Sequence, residues 1–133
     1  MLSLLNLSSF NNHNNFLKVQ KLILNQIENP NDKYVDIYNF QILDASINQY
    51  KYQMEYLEPL SLKEKKLVQI LKIHKFDRVK CLKEKDSTTF PNLIDFILNA
   101  HYSEHYIDLH YGNVRKTKLG KYKLIDLEGK IGL

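Results

Sequence analysis

The spacing of apolar residues predicts a helix in the N-terminal quarter of the chain. Apolar side chains recur every three or four positions between residues 16 and 27: Phe16, Val19, Ile23, Leu24 and Ile27. This is the period of a helix with one buried face. The Asn-rich residues 8–15 are expected to form a loop that ends in a helix cap. The turn-forming residues 29–32 should end the helix.

Two segments with strand-like patterns follow the predicted helix. Residues 34–43 are rich in β-branched and aromatic side chains, as strands are. In residues 50–57, three tyrosines and a methionine alternate with polar residues, which is typical of a half-buried strand. Residues 44–49 are suited to a turn, so an antiparallel hairpin is expected.

The middle of the chain predicts two helices separated by an irregular segment. Ser61 and Glu64 have the spacing of a capping box, which begins a helix. The buried stripe expected for this helix is Leu67, Ile70, Leu71 and His74, with His74 at the edge of the core. Residues 76–89 mix charged and apolar residues, and a combination of irregular helix and loop is expected.

A strongly apolar helix and a short hairpin are predicted for the C-terminal third. Pro91 suits a first helical turn, and residues 91–102 have so few polar positions that this helix should be the most buried. Residues 114–117 and 122–125 have the pattern of two short strands, with a turn at residues 118–120.

Length and composition indicate a single globular domain. The chain has 133 residues, of which 44% are hydrophobic and 26% charged, as in ordinary soluble proteins. The net charge of +4 suits an anionic partner such as a nucleotide or an acidic protein. The basic residues look scattered, apart from a group at residues 63–66 that we interpret as a solvated helix face. No stacking or groove-reading motif is evident, so a nucleic-acid partner is not expected.

The remaining bulk features favour a cytoplasmic protein. Cys81 is the only cysteine, which excludes an internal disulfide and fits a reducing compartment. The apolar residues 1–7 lack the basic leader and cleavage site of a signal peptide. No apolar run approaches the roughly 20 residues of a membrane span, so no membrane association is expected.

The most informative pattern lies near the C-terminus. Asp108 is followed five residues later by Asn113, and a second aspartate, Asp126, follows the predicted hairpin. Carboxylate and amide oxygens are ligands that Mg²⁺ accepts while it keeps several waters. We therefore predict that Asp108 accepts or orients a substrate proton and that Asn113 and Asp126 bind the metal. Glu128, two residues beyond Asp126, is expected to assist the metal ligands.

These residues stand in two motifs that resemble those of a known superfamily. The motifs are Asp108-Leu109-His110-Tyr111-Gly112-Asn113 and Asp126-Leu127-Glu128. They are similar to the catalytic loop and the metal-binding motif of the protein-kinase-like superfamily, in the branch that contains aminoglycoside and choline phosphotransferases. The resemblance implies Mg²⁺ and ATP as cofactors, with His110 near the nucleotide. Small proteins of this appearance occur in phages.

The order of the predicted elements also resembles that superfamily. Residues 53–60 are similar to its last N-lobe strand and hinge, which implies a nucleotide-binding role for Glu55 and Leu57. The resemblance implies an α+β, reduced kinase-like fold: a small antiparallel sheet, a helical subdomain and a C-terminal β-hairpin. Residues 1–60 would form a reduced N-lobe with the hinge, and residues 61–133 a partial C-lobe.

Several features of the family pattern are missing. Tyr106 stands where the family usually has histidine, and the four glycines do not form a glycine-rich phosphate loop. No lysine-bearing strand is predicted before the first helix, and that helix offers only Glu28, at its end, as an ion-pair partner. The resemblance therefore implies weak or absent phosphotransferase activity.

These departures leave two further hypotheses open. The chain could be a non-catalytic inhibitor or regulator that binds a protein partner through a kinase-like scaffold. It could also be half of an enzyme that a second copy of the chain or a different subunit completes. If a second copy completes it, the protein is a homo-oligomer.

Three other interpretations of the chemistry-bearing residues remain. His101, Glu104 and His105 match the His-x-x-Glu-His pattern of a zinc protease, which would place two imidazoles on one helix face. Cys81 could be a catalytic thiol, although no His–Asp arrangement accompanies it. Finally, Asp and Asn are common turn residues, so the Asp108–Asp126 pattern could be turn chemistry alone.

Overall fold

The computed structural model describes residues 3–9 and 12–132, and the chain divides into two units, Met1–Leu57 and Glu58–Leu133. Each unit combines helices with a small antiparallel sheet, which confirms the predicted α+β class. No helix among the described residues is both long and apolar enough to span a bilayer.

The N-terminal unit contains three strands and one helix. Its elements are β1 (Ser3–Ser9), α1 (His13–Glu28), β2 (Ile37–Asp44) and β3 (Gln49–Glu55). The sheet order is β1-β3-β2, and both pairings are antiparallel. The β2–β3 hairpin confirms the sequence prediction. The sequence did not predict strand β1, and its last two residues, 8 and 9, fall in the segment expected to form a loop.

Helix α1 begins three residues earlier than its apolar pattern indicated. Asn12 caps it, since its side-chain oxygen accepts hydrogen bonds from the backbone amides of Asn14 and Asn15. Phe16, Val19 and Ile23 are buried as predicted, whereas Leu24 and Ile27 are exposed. The buried stripe is thus narrower than the sequence suggested.

The core of the N-terminal unit is aromatic. Tyr50 and Tyr52 on β3 are almost fully buried, and the ring of Tyr50 lies 5.9 Å from that of Phe16 on α1. The alternation of buried and half-buried residues along β3 agrees with the predicted pattern. It stops at Tyr56, which lies beyond the strand and is exposed.

The C-terminal unit packs two helices against a third and carries a three-stranded sheet. Its elements are β4 (Glu58–Pro59), α2 (Leu62–Ile73), α3 (Arg78–Lys83), α4 (Pro91–Tyr102), β5 (Val114–Lys116) and β6 (Tyr122–Leu124). The sheet order is β4-β5-β6, antiparallel throughout. Helix α4 and the β5–β6 hairpin occupy the predicted positions.

Helix α2 confirms the predicted capping box but not the whole predicted stripe. The Ser61 hydroxyl accepts from the Glu64 amide, and the Glu64 carboxylate accepts from the Ser61 amide. Leu67 and Leu71 are buried, whereas Ile70 is 38% exposed. His74 caps the end of the helix, with its Nε2 3.1 Å from a carboxylate oxygen of Glu84.

Helix α4 is the apolar centre of the C-terminal unit. Leu93, Ile94 and Ile97 have no measurable exposure, and both α2 and α3 pack against this helix. Pro91 occupies its first turn, where a missing amide hydrogen costs no helical hydrogen bond. The chain that leaves α4 leads directly into the candidate site.

Candidate functional site

The β5–β6 hairpin brings two of the predicted site residues to the same end of the sheet. Asn113 immediately precedes β5, and Asp126 lies two residues after β6 ends at Leu124. Val114 pairs with Leu124 in the hairpin. The pairing continues for one more hydrogen bond, because the Ile125 amide donates to the Asn113 carbonyl oxygen at 3.0 Å.

Asn113 is held against Asp108 by its side-chain amide. The Nδ2 group donates to the Asp108 backbone carbonyl at 2.8 Å and lies 3.3 Å from the Asp108 Oδ2 atom. Since these contacts use the amide nitrogen, the side-chain oxygen is the atom that Asn113 can offer to a cation. Asn113 is buried and Asp108 is half-buried.

His110 supports the loop between Asp108 and Asn113. Its Nδ1 atom accepts a hydrogen bond from the Gly112 amide at 3.0 Å, which places the ring proton on Nε2. That Nε2 atom lies 3.5 Å from the Asp108 Oδ2 atom. The structure therefore gives His110 a role in orienting Asp108, and its predicted contact with a nucleotide remains a prediction.

Asp126 begins a turn that folds back onto the Asp108 loop. Its Oδ1 atom accepts a hydrogen bond from the Glu128 amide at 3.0 Å. The carbonyl oxygen of Gly129 accepts hydrogen bonds from the amides of Ile107 and Asp108, at 3.1 and 3.0 Å. The two loops are thus tied together through their backbones.

Tyr106 adds a side-chain connection between the same loops. Its hydroxyl donates to the backbone carbonyl oxygen of Asp126 at 2.5 Å. The ring lies against Gly129, where a Cβ atom would collide with the tyrosine hydroxyl and ring. Tyr106 is buried, so this contact is part of the core beneath the site.

The electrostatics of the site disfavour an ionised Asp126 in the absence of a cation. Burial, with smaller contributions from the negative charges of Glu128 and Asp108, raises the pKa of Asp126 to about 6. Hydrogen bonds from the amides of Glu128 and Gly129 only partly oppose this rise. A divalent cation would relieve the repulsion among the carboxylates.

The donor set fits a cation that uses few protein ligands. Among the described residues, no three His, Cys, Asp or Glu side chains converge into a ready-made metal cluster. Asp126, with the amide oxygen of Asn113, could supply two hard oxygen ligands, and Mg²⁺ commonly completes its shell with water and phosphate oxygens. These oxygen groups are of the types that Mg²⁺ accepts, and the magnesium site remains a prediction.

One small cavity lies beside the loop. A cavity of about 80 Å³ is lined by Pro59, Leu60, Lys65, Tyr111 and Gly112, among others. Ligand pockets usually enclose roughly 300 Å³ or more. This cavity is too small to enclose a whole nucleotide.

The two predicted hinge residues lie at the end of the N-terminal unit. The Glu55 carboxylate accepts a hydrogen bond from the Asp36 amide at 2.9 Å, and the Leu57 side chain is buried. Both groups serve the local structure, and their predicted contacts with a nucleotide remain predictions.

The zinc-protease interpretation of residues 101–105 is wrong. Helix α4 ends at Tyr102, and the His101 ring packs 5.0 Å from that of Phe76. His105 lies beyond the helix with a positive φ of 53°. The two imidazoles therefore do not share one helix face, which is what that motif requires.

Cys81 has the surroundings of a structural residue. It is fully buried in α3. Burial, followed by the nearby charges of Asp77 and Glu84, raises the pKa of its thiol. A nucleophilic cysteine needs the opposite shift, so the structure gives no support to a catalytic thiol.

A buried ionic network close to the hairpin was not predicted. Glu64 is 1% exposed. Its carboxylate accepts hydrogen bonds from Lys116 Nζ at 2.6 Å and from the Tyr122 hydroxyl at 2.5 Å. Although burial raises the pKa of Glu64, the bonds from Lys116, Tyr122 and Ser61 outweigh it and hold the pKa at about 2. No local sequence signal points to partners more than 50 residues away.

Comparison with known proteins gives no match: no protein-family model, no curated protein and no solved structure is significantly similar to this chain.

Proposed function

We propose that this chain is a minimal kinase-like protein that binds Mg²⁺–nucleotide through Asp108, Asn113 and Asp126. One observation carries the proposal. Asn113 contacts Asp108 through its amide nitrogen, while its backbone pairs with the segment that leads into Asp126. One side chain and one hairpin thus join all three residues that the motif requires.

Each residue then has a distinct role. Asp108, oriented by His110 and Asn113, would accept the proton of an attacking hydroxyl or position that hydroxyl. The Asn113 oxygen and the Asp126 carboxylate would hold the cation, with Glu128 as an outer carboxylate. When bound, the metal would neutralise phosphate charge. At or below about pH 6 the metal would have to displace a proton from Asp126, because the pKa of this carboxyl is raised to about 6 without a cation.

We propose that phosphotransferase activity is weak or absent. Strand β1, which precedes α1, contains no lysine to contact nucleotide phosphates. Each missing charge-assisted hydrogen bond removes about 1.5–3 kcal/mol. The loss of several such contacts lowers affinity or rate by orders of magnitude. A weak Mg²⁺–nucleotide site can remain after this loss.

A titration of the purified chain with Mg–ATP, followed by NMR, tests the site. We expect shifts in the amide signals of residues 108–113 and 126–129 and millimolar affinity. Asp126→Asn should abolish Mg²⁺-dependent binding, and Asp86→Asn, which changes an exposed carboxylate in the same unit, should not. Equal binding by both variants, or no binding at millimolar nucleotide, would refute the proposal.

A second candidate is a non-catalytic protein that binds a partner protein through the same scaffold. The absence of a lysine in β1 favours it, as does the surface described in the next subsection. ATP turnover distinguishes the two candidates. Phosphate release or transfer that Asp108→Asn abolishes would exclude the non-catalytic protein.

A further inference from the structure

The positive charge of the chain is concentrated in one segment of the C-terminal unit. Residues 62–86, which contain α2 and α3, hold nine of the 19 Lys and Arg residues and four of the 15 Asp and Glu residues. This segment therefore carries a charge of +5, and the rest of the chain carries −1. The sequence description of scattered basic residues was wrong in this respect.

Three of the four carboxylates of this segment are engaged in contacts with other groups, and the fourth, Asp86, is exposed. Glu64 is buried against Lys116 and Tyr122. Glu84 contacts His74, and the Asp77 side chain caps α3 by accepting from the Lys80 amide. These contacts reduce the ability of the three carboxylates to neutralise the surface. The following basic residues are exposed: Lys63, Lys66, Lys72, Lys75, Arg78, Lys80 and Lys83.

Large aliphatic side chains are exposed among these cations. Leu62 is 69%, Ile73 77% and Val79 64% exposed. Leu71 on α2 and Cys81 on α3 are buried, and both helices pack against α4. The exposed aliphatic residues therefore lie on the helix faces that the core does not use. These side chains add apolar contact area to a surface whose dominant feature is positive charge.

A groove in this surface combines both properties. It has a volume of about 350 Å³ and is lined by Lys63, Lys66, Leu67, Ile70, Glu84 and Phe90, among others. The lysines supply positive charge, and the leucine, isoleucine and phenylalanine supply an apolar wall. The Glu84 carboxylate also lines the groove, where it contacts His74. A space of this size can accept one large apolar side chain together with part of its backbone.

We propose that the α2–α3 surface, defined as the exposed residues 62–83 together with this groove, binds an acidic segment of a partner protein. An apolar side chain of that segment would occupy the groove, and its carboxylates would contact Lys63, Lys66 and the neighbouring cations. Charge complementarity of this kind accelerates association and selects the partner. The inference is independent of the Mg²⁺–nucleotide site.

The observations favour an acidic protein over the two other anionic partners. Single-stranded nucleic acid is bound through exposed aromatic rings on which bases stack. Here the large exposed side chains are aliphatic, and the Tyr102 ring is covered by Arg78, whose guanidinium carbon lies 4.6 Å from its centre. A membrane-surface helix presents a continuous apolar face, whereas the exposed Ile73 and Val79 are on separate helices with lysines beside them.

A designed acidic peptide tests the proposal on the full chain. The probe is acetyl-Glu-Glu-Leu-Glu-Glu-Phe-Glu-Glu-amide, with a control peptide in which serine replaces Leu and Phe. NMR titration should show shifted signals in residues 62–90 and weaker binding at high salt. The serine peptide should bind more weakly, because it cannot fill the apolar groove.

A matched pair of charge reversals locates the binding surface. Lys63→Glu/Lys66→Glu should weaken peptide binding about tenfold or more. Lys18→Glu/Lys21→Glu makes the same change in net charge at the same i, i+3 spacing on the exposed side of α1 and should leave binding nearly unchanged. Circular dichroism checks that both variants fold. If Lys63→Glu/Lys66→Glu does not fold, Lys63→Gln/Lys66→Gln is used in its place.

Three results would overturn the proposal. The first is an absence of peptide binding. The second is an equal loss in the two charge-reversed variants, which would show attraction by net charge without a defined surface. The third is tighter binding of a single-stranded oligonucleotide, or of phosphatidylserine-containing vesicles, through residues 62–90. That result would assign the surface to a nucleic acid or a membrane instead.

Discussion

The hydroxyl of Tyr106 donates a hydrogen bond to the backbone carbonyl oxygen of Asp126, with 2.5 Å between the two oxygens. Tyr106 stands two residues before Asp108, so this bond connects the loop of the proposed proton acceptor to the loop of a proposed metal ligand. Tyr106 is buried, and the bond links residues 20 positions apart. It adds a side-chain connection to the backbone hydrogen bonds from Ile107 and Asp108 to Gly129 that also join the two loops.

Replacement of this hydroxyl should weaken both folding and the site. Tyr106→Phe leaves the Asp126 carbonyl without its donor, and we expect the free energy of unfolding to fall by about 1–2 kcal/mol. The affinity for Mg–ATP should also fall, because the backbone of Asp126 is no longer held by the Tyr106 hydroxyl. Urea denaturation and NMR titration measure the two effects. Tyr56→Phe, at an exposed tyrosine, is the control and should change neither quantity.

Gly129 should not tolerate a side chain. In Gly129→Ala the new methyl group would collide with the hydroxyl and ring of Tyr106, and both are held in the core. We expect a loss of about 2 kcal/mol or more in unfolding free energy, as overpacking of a rigid site produces. Thermal denaturation monitored by circular dichroism measures it.

Gly112→Ala is the matched control for that substitution. Its new methyl group would meet the ring of His110, a partly exposed side chain that can shift at the cost of the hydrogen bond it accepts from the Gly112 amide. The control should therefore be markedly more stable than Gly129→Ala. Equal stability of the two variants would contradict the packing that the structure shows around Tyr106.

Asp126 should make the protein less stable as the pH rises through the range from about 4 to 6. Its pKa is about 6 in the folded chain, above the ordinary value of 3.8, so the folded state binds more protons than the unfolded state in this range. The free energy of unfolding therefore falls with rising pH. Asp126→Asn should remove this fall and add on the order of 1–3 kcal/mol at neutral pH.

Denaturation with urea between pH 4 and 8, with and without Mg²⁺, measures the effect. Mg²⁺ should stabilise the wild type at pH 7 and have less effect at pH 5, where protons compete for Asp126. It should have little effect on Asp126→Asn. The raised pKa of Asp126 would be contradicted if the unfolding free energy of the wild type did not fall between pH 4 and 6 and Asp126→Asn showed the same pH dependence.

Glu64 should have the opposite dependence on pH. Its pKa is about 2 in the folded chain and 4.5 ordinarily, so its contribution is complete above about pH 4.5 and is lost as the pH falls towards 2. Glu64→Gln should lower the unfolding free energy by about 2–3 kcal/mol, because a buried charge pair loses one partner. Chemical denaturation at pH 7 and pH 3 measures the difference.

A double-mutant cycle separates the ion pair from general packing. The double variant Lys116→Met/Glu64→Gln should lose less unfolding free energy than the sum of the two single losses, because the two side chains are in contact. The Lys85–Asp95 pair, with Asp95 more than half exposed, is the control, and its cycle should give at most about 0.5 kcal/mol. Additive effects at Glu64 and Lys116 would show that their contact contributes little.

Features set by neighbouring residues were predictable from the sequence. The capping box at Ser61 and Glu64 needs only a hydroxyl and a carboxylate three residues apart. Helix α4 follows from its apolar residues and Pro91, and the β5–β6 hairpin from its turn. The spacing of Asn113 and Asp126 likewise predicted that both residues lie at the same end of that hairpin, because a hairpin brings the residues at its two ends together.

Only the tertiary structure decided which distant groups meet. Strand β1 pairs with β3 across sequence separations of 40 residues or more, and Glu64 contacts Lys116, which is 52 residues along the chain. Tyr106 donates a hydrogen bond to the Asp126 carbonyl oxygen. Ile70 belongs to the predicted buried stripe of α2, but its side chain is partly exposed. Local hydrogen bonds and periodicity specify elements, but partners far apart in sequence are chosen by how all the elements pack around a common core.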